Sequence, residues 1–160
     1  MIQSMAFSTR QKYLIEAEEL SLMIGKNPNL RILNASWFMP NMNRDAKKEH
    51  FEARITQDTQ FFDIDGVVQP ESTLPHTLPT RDIFTHHMRA LRIIPTHDIV
   101  CYDNLGMFSA PRAAWMFRYF GATNVRVLNG GLKKWLIDGR PTVGGEQIQP
   151  PENPAEAYNF

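Results

Sequence analysis

Cysteine is almost missing: Cys101 is the one thiol in 160 residues. A single cysteine excludes a disulfide framework and a thiolate metal cluster, and the chain reads as belonging to a reducing, intracellular setting. Net charge is missing as well, since Lys plus Arg number 17 and Asp plus Glu number 17. Nothing gathers positive charge into the stripe that a phosphate backbone requires, so nucleic acid is not an expected partner. No apolar run approaches the roughly 18 residues of a membrane span, and no membrane partner is expected. His86 and His87 are adjacent on a helical stretch and point apart, which makes a poor metal pair. No metal and no cofactor are expected.

What remains is the composition of one globular domain: 42% hydrophobic, 11% aromatic and 21% charged residues. The opening residues 1–13 carry Arg10, Lys12 and two serines without an acid, a faint likeness to a mitochondrial presequence. Glu16, Glu18 and Glu19 follow at once, so the stretch reads as a mobile N-terminus. The folded domain is expected over 14–143. Residues 144–160, rich in Gly, Pro, Gln and Asn without a core pattern, read as a linker toward a further domain.

Within the domain, short apolar runs alternate with helical periods. Leu20, Met23 and Ile24 keep helical spacing before Gly25. Leu30 to Ala35 alternates as a strand does, and polar Asn41 to Glu49 reads as a loop entering a helix. Phe61-Phe62-Asp63-Ile64-Asp65 predicts a strand, and the proline-bearing stretch 66–79 a long loop. A helix follows from Thr80 with Phe84, Met88 and Leu91 as its buried stripe. Asp98 to Asp103 is the best central-strand candidate, with its β-branched apolar centre. Ser109 to Phe120 predicts a helix closed by Gly121, Val125 to Leu128 a strand, and Leu132 to Asp138 a helix after the Asn129-Gly130-Gly131 turn. Strands alternating with helices imply an α/β domain, with a mainly parallel central sheet flanked by helices.

In such sheets ligands gather at the carboxyl ends of strands, in front of helix N-termini. Asp103-Asn104-Leu105-Gly106-Met107-Phe108-Ser109 occupies that place. Inward backbone N–H groups and the helix behind them would cradle an anion or a thiolate. A catalytic thiolate belongs at the first loop position, where Asp103 stands. Cys101 lies two residues earlier within the strand and is read as a buried small hydrophobe. It also lacks the arginine of a phosphatase loop, because Met107 stands there. Trp115, Phe117 and Phe120 are read as core, and Arg112 and Arg118 as solvated helix arginines. Trp37 and Phe38 either shield an interface or cap the core.

Arg44-Asp45-Ala46, Phe61-Phe62-Asp63-Ile64-Asp65, Leu78-Pro79, Tyr102-Asp103, Ser109-Ala110-Pro111-Arg112, Trp115-Met116-Phe117-Arg118 and Val127-Leu128-Asn129-Gly130-Gly131 keep the order and spacing of a known pattern. Ala35-Ser36-Trp37 and Trp135-Leu136 fit it too. From about Leu14 to 143 the chain resembles the N-terminal domain of two-domain sulfurtransferases of the rhodanese/3-mercaptopyruvate type. One stretch departs from the pattern: Arg54 to Gln60 lacks a usual Pro-Gly turn.

The resemblance implies a single inactive rhodanese-like domain, with aspartate in place of the catalytic cysteine. Its partner would be a C-terminal, cysteine-bearing rhodanese domain of the same protein. The parent enzyme would move sulfur from a small donor, 3-mercaptopyruvate or thiosulfate, to a thiol or cyanide. Asp65 and His76 match cleft residues of the mercaptopyruvate branch: the carboxylate would fix a tautomer and the histidine relay a proton. The compartment would be the mitochondrial matrix or the cytoplasm. A standalone inactive module for binding or interaction is the alternative.

Overall fold

The computed structural model describes residues 12–160, so most of the N-terminal stretch 1–13 lies outside the described residues. Five parallel strands form one sheet: β1 (Leu14–Ile15), β2 (Leu30–Asn34), β3 (Gln60–Phe61), β4 (Asp98–Tyr102) and β5 (Asn124–Leu128), in the order β1-β5-β4-β2-β3. The helices are α1 (Ala17–Met23), α2 (Ala46–Glu52), α3 (Arg81–Ala90), α4 (Ala110–Tyr119) and α5 (Gly131–Ile137).

The centre is β4, as its apolar run demands, because a strand covered on both faces cannot alternate with polar residues. Leu30 to Asn34 register with Asp98 to Tyr102 on one side, and Val125 and Val127 with Ile99 and Cys101 on the other. Side chains of β4 alternate between two cores. Ile99 and Cys101 join Phe62, Phe84, Met88 and Phe117 beneath α3 and α4. Val100 and Tyr102 join Leu20, Leu128 and Trp135 beneath α1 and α5.

Local chemistry sets the helix starts. The Thr80 hydroxyl accepts from Ile83 N–H at the head of α3. Pro111 lies in the first turn of α4, where its missing N–H costs nothing. Asp103 reads as the end of the strand; it lies just past β4, at the mouth of the loop.

Several expectations meet a different outcome. Phe61 to Asp65 is not one strand: after Phe61 the chain turns, and Asp63 Oδ1 accepts from the N–H groups of Asp65 and Gly66. Trp115 is not core but 47% exposed, whereas Phe117 and Phe120 are buried. Where the Pro-Gly turn is missing, Thr59 N–H reaches Thr56 O and Thr56 N–H reaches the Thr59 hydroxyl, which closes a turn by other means.

The segment 144–160 does not hang free. Ile148 N–H donates to Gln57 O, and the Arg92 guanidinium donates to Pro150 O. Phe160 is buried edge-on against Phe84 at 5.1 Å. Two aromatic residues inside a polar stretch dock it, and average composition conceals them.

Candidate functional site

The loop between β4 and α4 closes around its own first side chain. Asp103 is buried, and its carboxylate accepts five backbone N–H groups. Oδ1 takes those of Leu105, Gly106 and Met107 at 2.9, 2.8 and 3.1 Å. Oδ2 takes those of Ser109 and Ala110 at 2.9 and 2.8 Å. The amide cradle thus exists, and the anion within it is part of the chain. Gly106 (φ +108°) and Met107 (φ +126°) bend the backbone so that successive N–H groups point inward.

Gly131 seals the loop from behind. A Cβ there would meet Asp103 O at 2.3 Å, so only glycine allows α5 to approach this closely. The next residue uses that approach, because Leu132 N–H donates to Asp103 O at 2.9 Å.

Polar side chains tie the loop to the segment after β2. Asn104 N–H donates to the Ser36 hydroxyl, whose own proton goes to Asn34 Oδ1. The Ser109 hydroxyl donates to Ala35 O and accepts from Trp37 N–H. Glu49 accepts from Asn104 Nδ2 at 2.9 Å and from the fork of Arg44 at 2.7 Å twice. The Arg44 hydrogen bonds hold the Glu49 carboxyl below its usual range. Sequence reading did not single out Asn34 or Glu49, and quoted Ser36 only within a matching motif; their closeness in space to the loop marks them.

Cys101 is fully buried among apolar side chains, and burial pushes its thiol well above the usual range. Its sulfur does not open into the amide cradle.

Asp65 and His76 do come together. His76 Nδ1 lies 3.2 Å from Asp65 Oδ1, out of hydrogen-bond alignment. Asp65 accepts instead from Trp37 Nε1 at 3.0 and 3.1 Å. The His76 ring stands edge-on to Trp37 at 4.9 Å, and Phe108 stacks at 6.3 Å from the same indole. Trp37, Ile64, His76, Phe108, Ser109 and Arg112 line a cavity of about 350 Å³ beside the amide loop. His76 and the loop therefore share one cleft, while Asp65 lines the neighbouring cavity, and Trp37 borders both.

A parallel α/β domain with an amide cradle between its central strand and the following helix is the architecture of the rhodanese fold. The chain has that fold, and its residues 62–138 match the rhodanese-like domain. It is 44% identical over 114 residues to thiosulfate/3-mercaptopyruvate sulfurtransferase 1, mitochondrial, of Arabidopsis thaliana, across 71% of this chain and 30% of that protein. It is 41% identical to thiosulfate sulfurtransferase of Bos taurus, across 76% of this chain and 41% of that one. The crystal structure of the 3-mercaptopyruvate sulfotransferase SseA from Escherichia coli superposes with a TM-score of 0.80 at 33% identity. That match covers 88% of this chain and 53% of the other. The chain spans less than half the length of the curated relatives that it matches.

Proposed function

We propose that this chain is the non-catalytic N-terminal domain of a sulfurtransferase that moves sulfur from 3-mercaptopyruvate or thiosulfate to a thiol or cyanide. One observation carries the reading: the cradle in which a thiolate would be stabilised is filled by the Asp103 carboxylate. A cysteine thiolate can take up a sulfane sulfur and hold it as a persulfide; a carboxylate forms no equivalent stable carrier. Its fixed charge also opposes an anionic donor, by about 4 kcal/mol at 4 Å and an effective dielectric of 20. Cys101 offers no substitute from inside the core.

The partner is a cysteine-bearing rhodanese domain following in the same protein, in the mitochondrial matrix or the cytoplasm. Exposed Phe108 in the loop, and Trp115 and Tyr119 along the helix behind it, support a surface that such a domain covers. His76 faces the cleft, with Asp65 3.2 Å from its Nδ1, and relays a proton for the partner's cysteine. The sequence Leu74-Pro75-His76 favours 3-mercaptopyruvate as donor.

The test is sulfur transfer itself. The isolated chain is expected to form no thiocyanate from thiosulfate and cyanide. Turnover that survives Cys101→Ser overturns the assignment of the loop, and turnover abolished by Cys101→Ser overturns the reading of the buried thiol. Joined to its catalytic domain, the protein is expected to lose mercaptopyruvate turnover in His76→Ala, and unchanged turnover removes the relay role.

A further inference from the structure

Arg112 reads in sequence as a solvated cation, yet its guanidinium is turned across the cleft. Nη2 donates to the main-chain carbonyl of His76 at 2.7 Å. The same group lies 4.8 Å from the Trp115 ring, which steadies the long side chain from the other side. Among the described residues, this is the one hydrogen bond that reaches His76.

That bond falls where the backbone needs it. His76 has φ +55°, a left-handed conformation uncommon for a residue with a Cβ. Its Nδ1 makes no aligned hydrogen bond, and the ring is held beside Asp65 by its edge-on contact with Trp37 and by the backbone that carries it. Arg112 sits in the first turns of α4, three residues after Ser109, whose N–H holds the Asp103 carboxylate. The helix that organises the amide loop therefore also anchors the histidine.

We infer that Arg112 is a positioning residue for His76: by capping its carbonyl it fixes the left-handed turn and so aims the imidazole at the cleft. The inference rests on the reading of His76 as a cleft residue, but it can fail separately. A charged donor on a main-chain acceptor is stronger than a neutral one and is indifferent to which side chain the histidine position carries.

The test is nuclear Overhauser spectroscopy on this chain, comparing wild type with Arg112→Met, Arg112→Ala and Arg112→Lys. Cross-peaks between the Trp37 indole and the His76 ring are expected in the wild type. They are expected to be lost in the methionine and alanine variants and kept in part by lysine, whose ammonium still reaches the carbonyl. Cross-peaks between stacked Phe84 and Phe120 report an intact core, and either variant that keeps them decides the matter. Full Trp37–His76 intensity with that core intact overturns the inference. If the peaks are lost as expected while His76→Ala leaves turnover unchanged in the joined enzyme, the positioning stands and the relay role falls.

Discussion

Asp103 shows how one side chain can turn an anion site into an internal fastening. Its two oxygens collect N–H groups from residues two to seven positions ahead, so a segment without helix or strand is held by a single carboxylate. Hydrogen bonds to a charged group are worth about 1.5–3 kcal/mol each, and those left without an acceptor carry a desolvation cost. Water can enter at the half-exposed Leu105 and Gly106 but less readily at buried Ser109 and Ala110. Asp103→Ala is therefore expected to lower unfolding free energy by about 3 kcal/mol in urea titration. Asp103→Asn keeps an oxygen for the three N–H groups now on Oδ1 and turns its NH₂ toward the other two donors. The expected cost is about half as large. A loss below about 0.5 kcal/mol for alanine, the range of ordinary surface changes, would mean that the loop holds itself without the carboxylate.

At the scale of elements, the segment 144–160 behaves as a strap. The Arg89 guanidinium lies over the Tyr158 ring, Asn153 Nδ2 donates to Arg92 O, and Gln147 donates to Gln60. Its apolar anchor is Phe160, against Phe84 and Phe117. Phe160→Ala is expected to cost about 3 kcal/mol, the lower end for a buried aromatic, because the strap can shift to close the space. Ile148→Ala, at an exposed position, is expected within about 0.5 kcal/mol of wild type. Thermal unfolding of the two variants checks this, and equal effects would mean that Phe160 is not an anchor. Elements with a long period were legible in the sequence: β4 and α4 lie within a residue or two of where the pattern puts them, and α3 starts there but ends at Ala90, short of Pro95. β1 was not, because two residues cannot show an alternation, and β3 shrank for the same reason. Trp115 was misjudged because an aromatic on a helix was assigned by type. Ala113, Ala114, Met116 and Phe117 take up the inward face and leave Trp115 outside. At the site, the position of Asp103 followed from strand-then-helix order. The number of amides around it did not, since that depends on the left-handed turns at Gly106 and Met107. Gly131 was read as a simple turn, because nothing in sequence reveals that the space of its absent Cβ is filled by Asp103 O.

Over the whole molecule, buried histidines make stability depend on acidity although the formal net charge is zero. His97 is buried at the start of β4, with Nδ1 accepting from Ile94 N–H at 3.2 Å. Burial first, and then the nearby Arg31 cation, push it down from 6.5 to about 4. His50, bonded to Gln147 in the strap, is also lowered, mainly by burial. A histidine lowered on folding stays neutral in the native state while the unfolded chain binds its proton. Stability is therefore unaffected above the ordinary value of 6.5 and falls as the medium is acidified from there toward about 4. Glu49 acts in the same direction further down: its lowered carboxyl contributes stability that is lost as acidity protonates it. For His97 alone, linkage between 6.5 and about 4 gives a loss of about 2 kcal/mol at pH 5 relative to pH 7.5. Urea unfolding at those two conditions is expected to show that decrease in wild type. His97→Gln keeps an oxygen to accept from Ile94 N–H but has no proton to take up. It is expected to be less stable at pH 7.5 yet to lose about 2 kcal/mol less than wild type on acidification. If its stability falls as steeply as that of wild type between the two conditions, the acid sensitivity belongs to other groups and His97 is not its source.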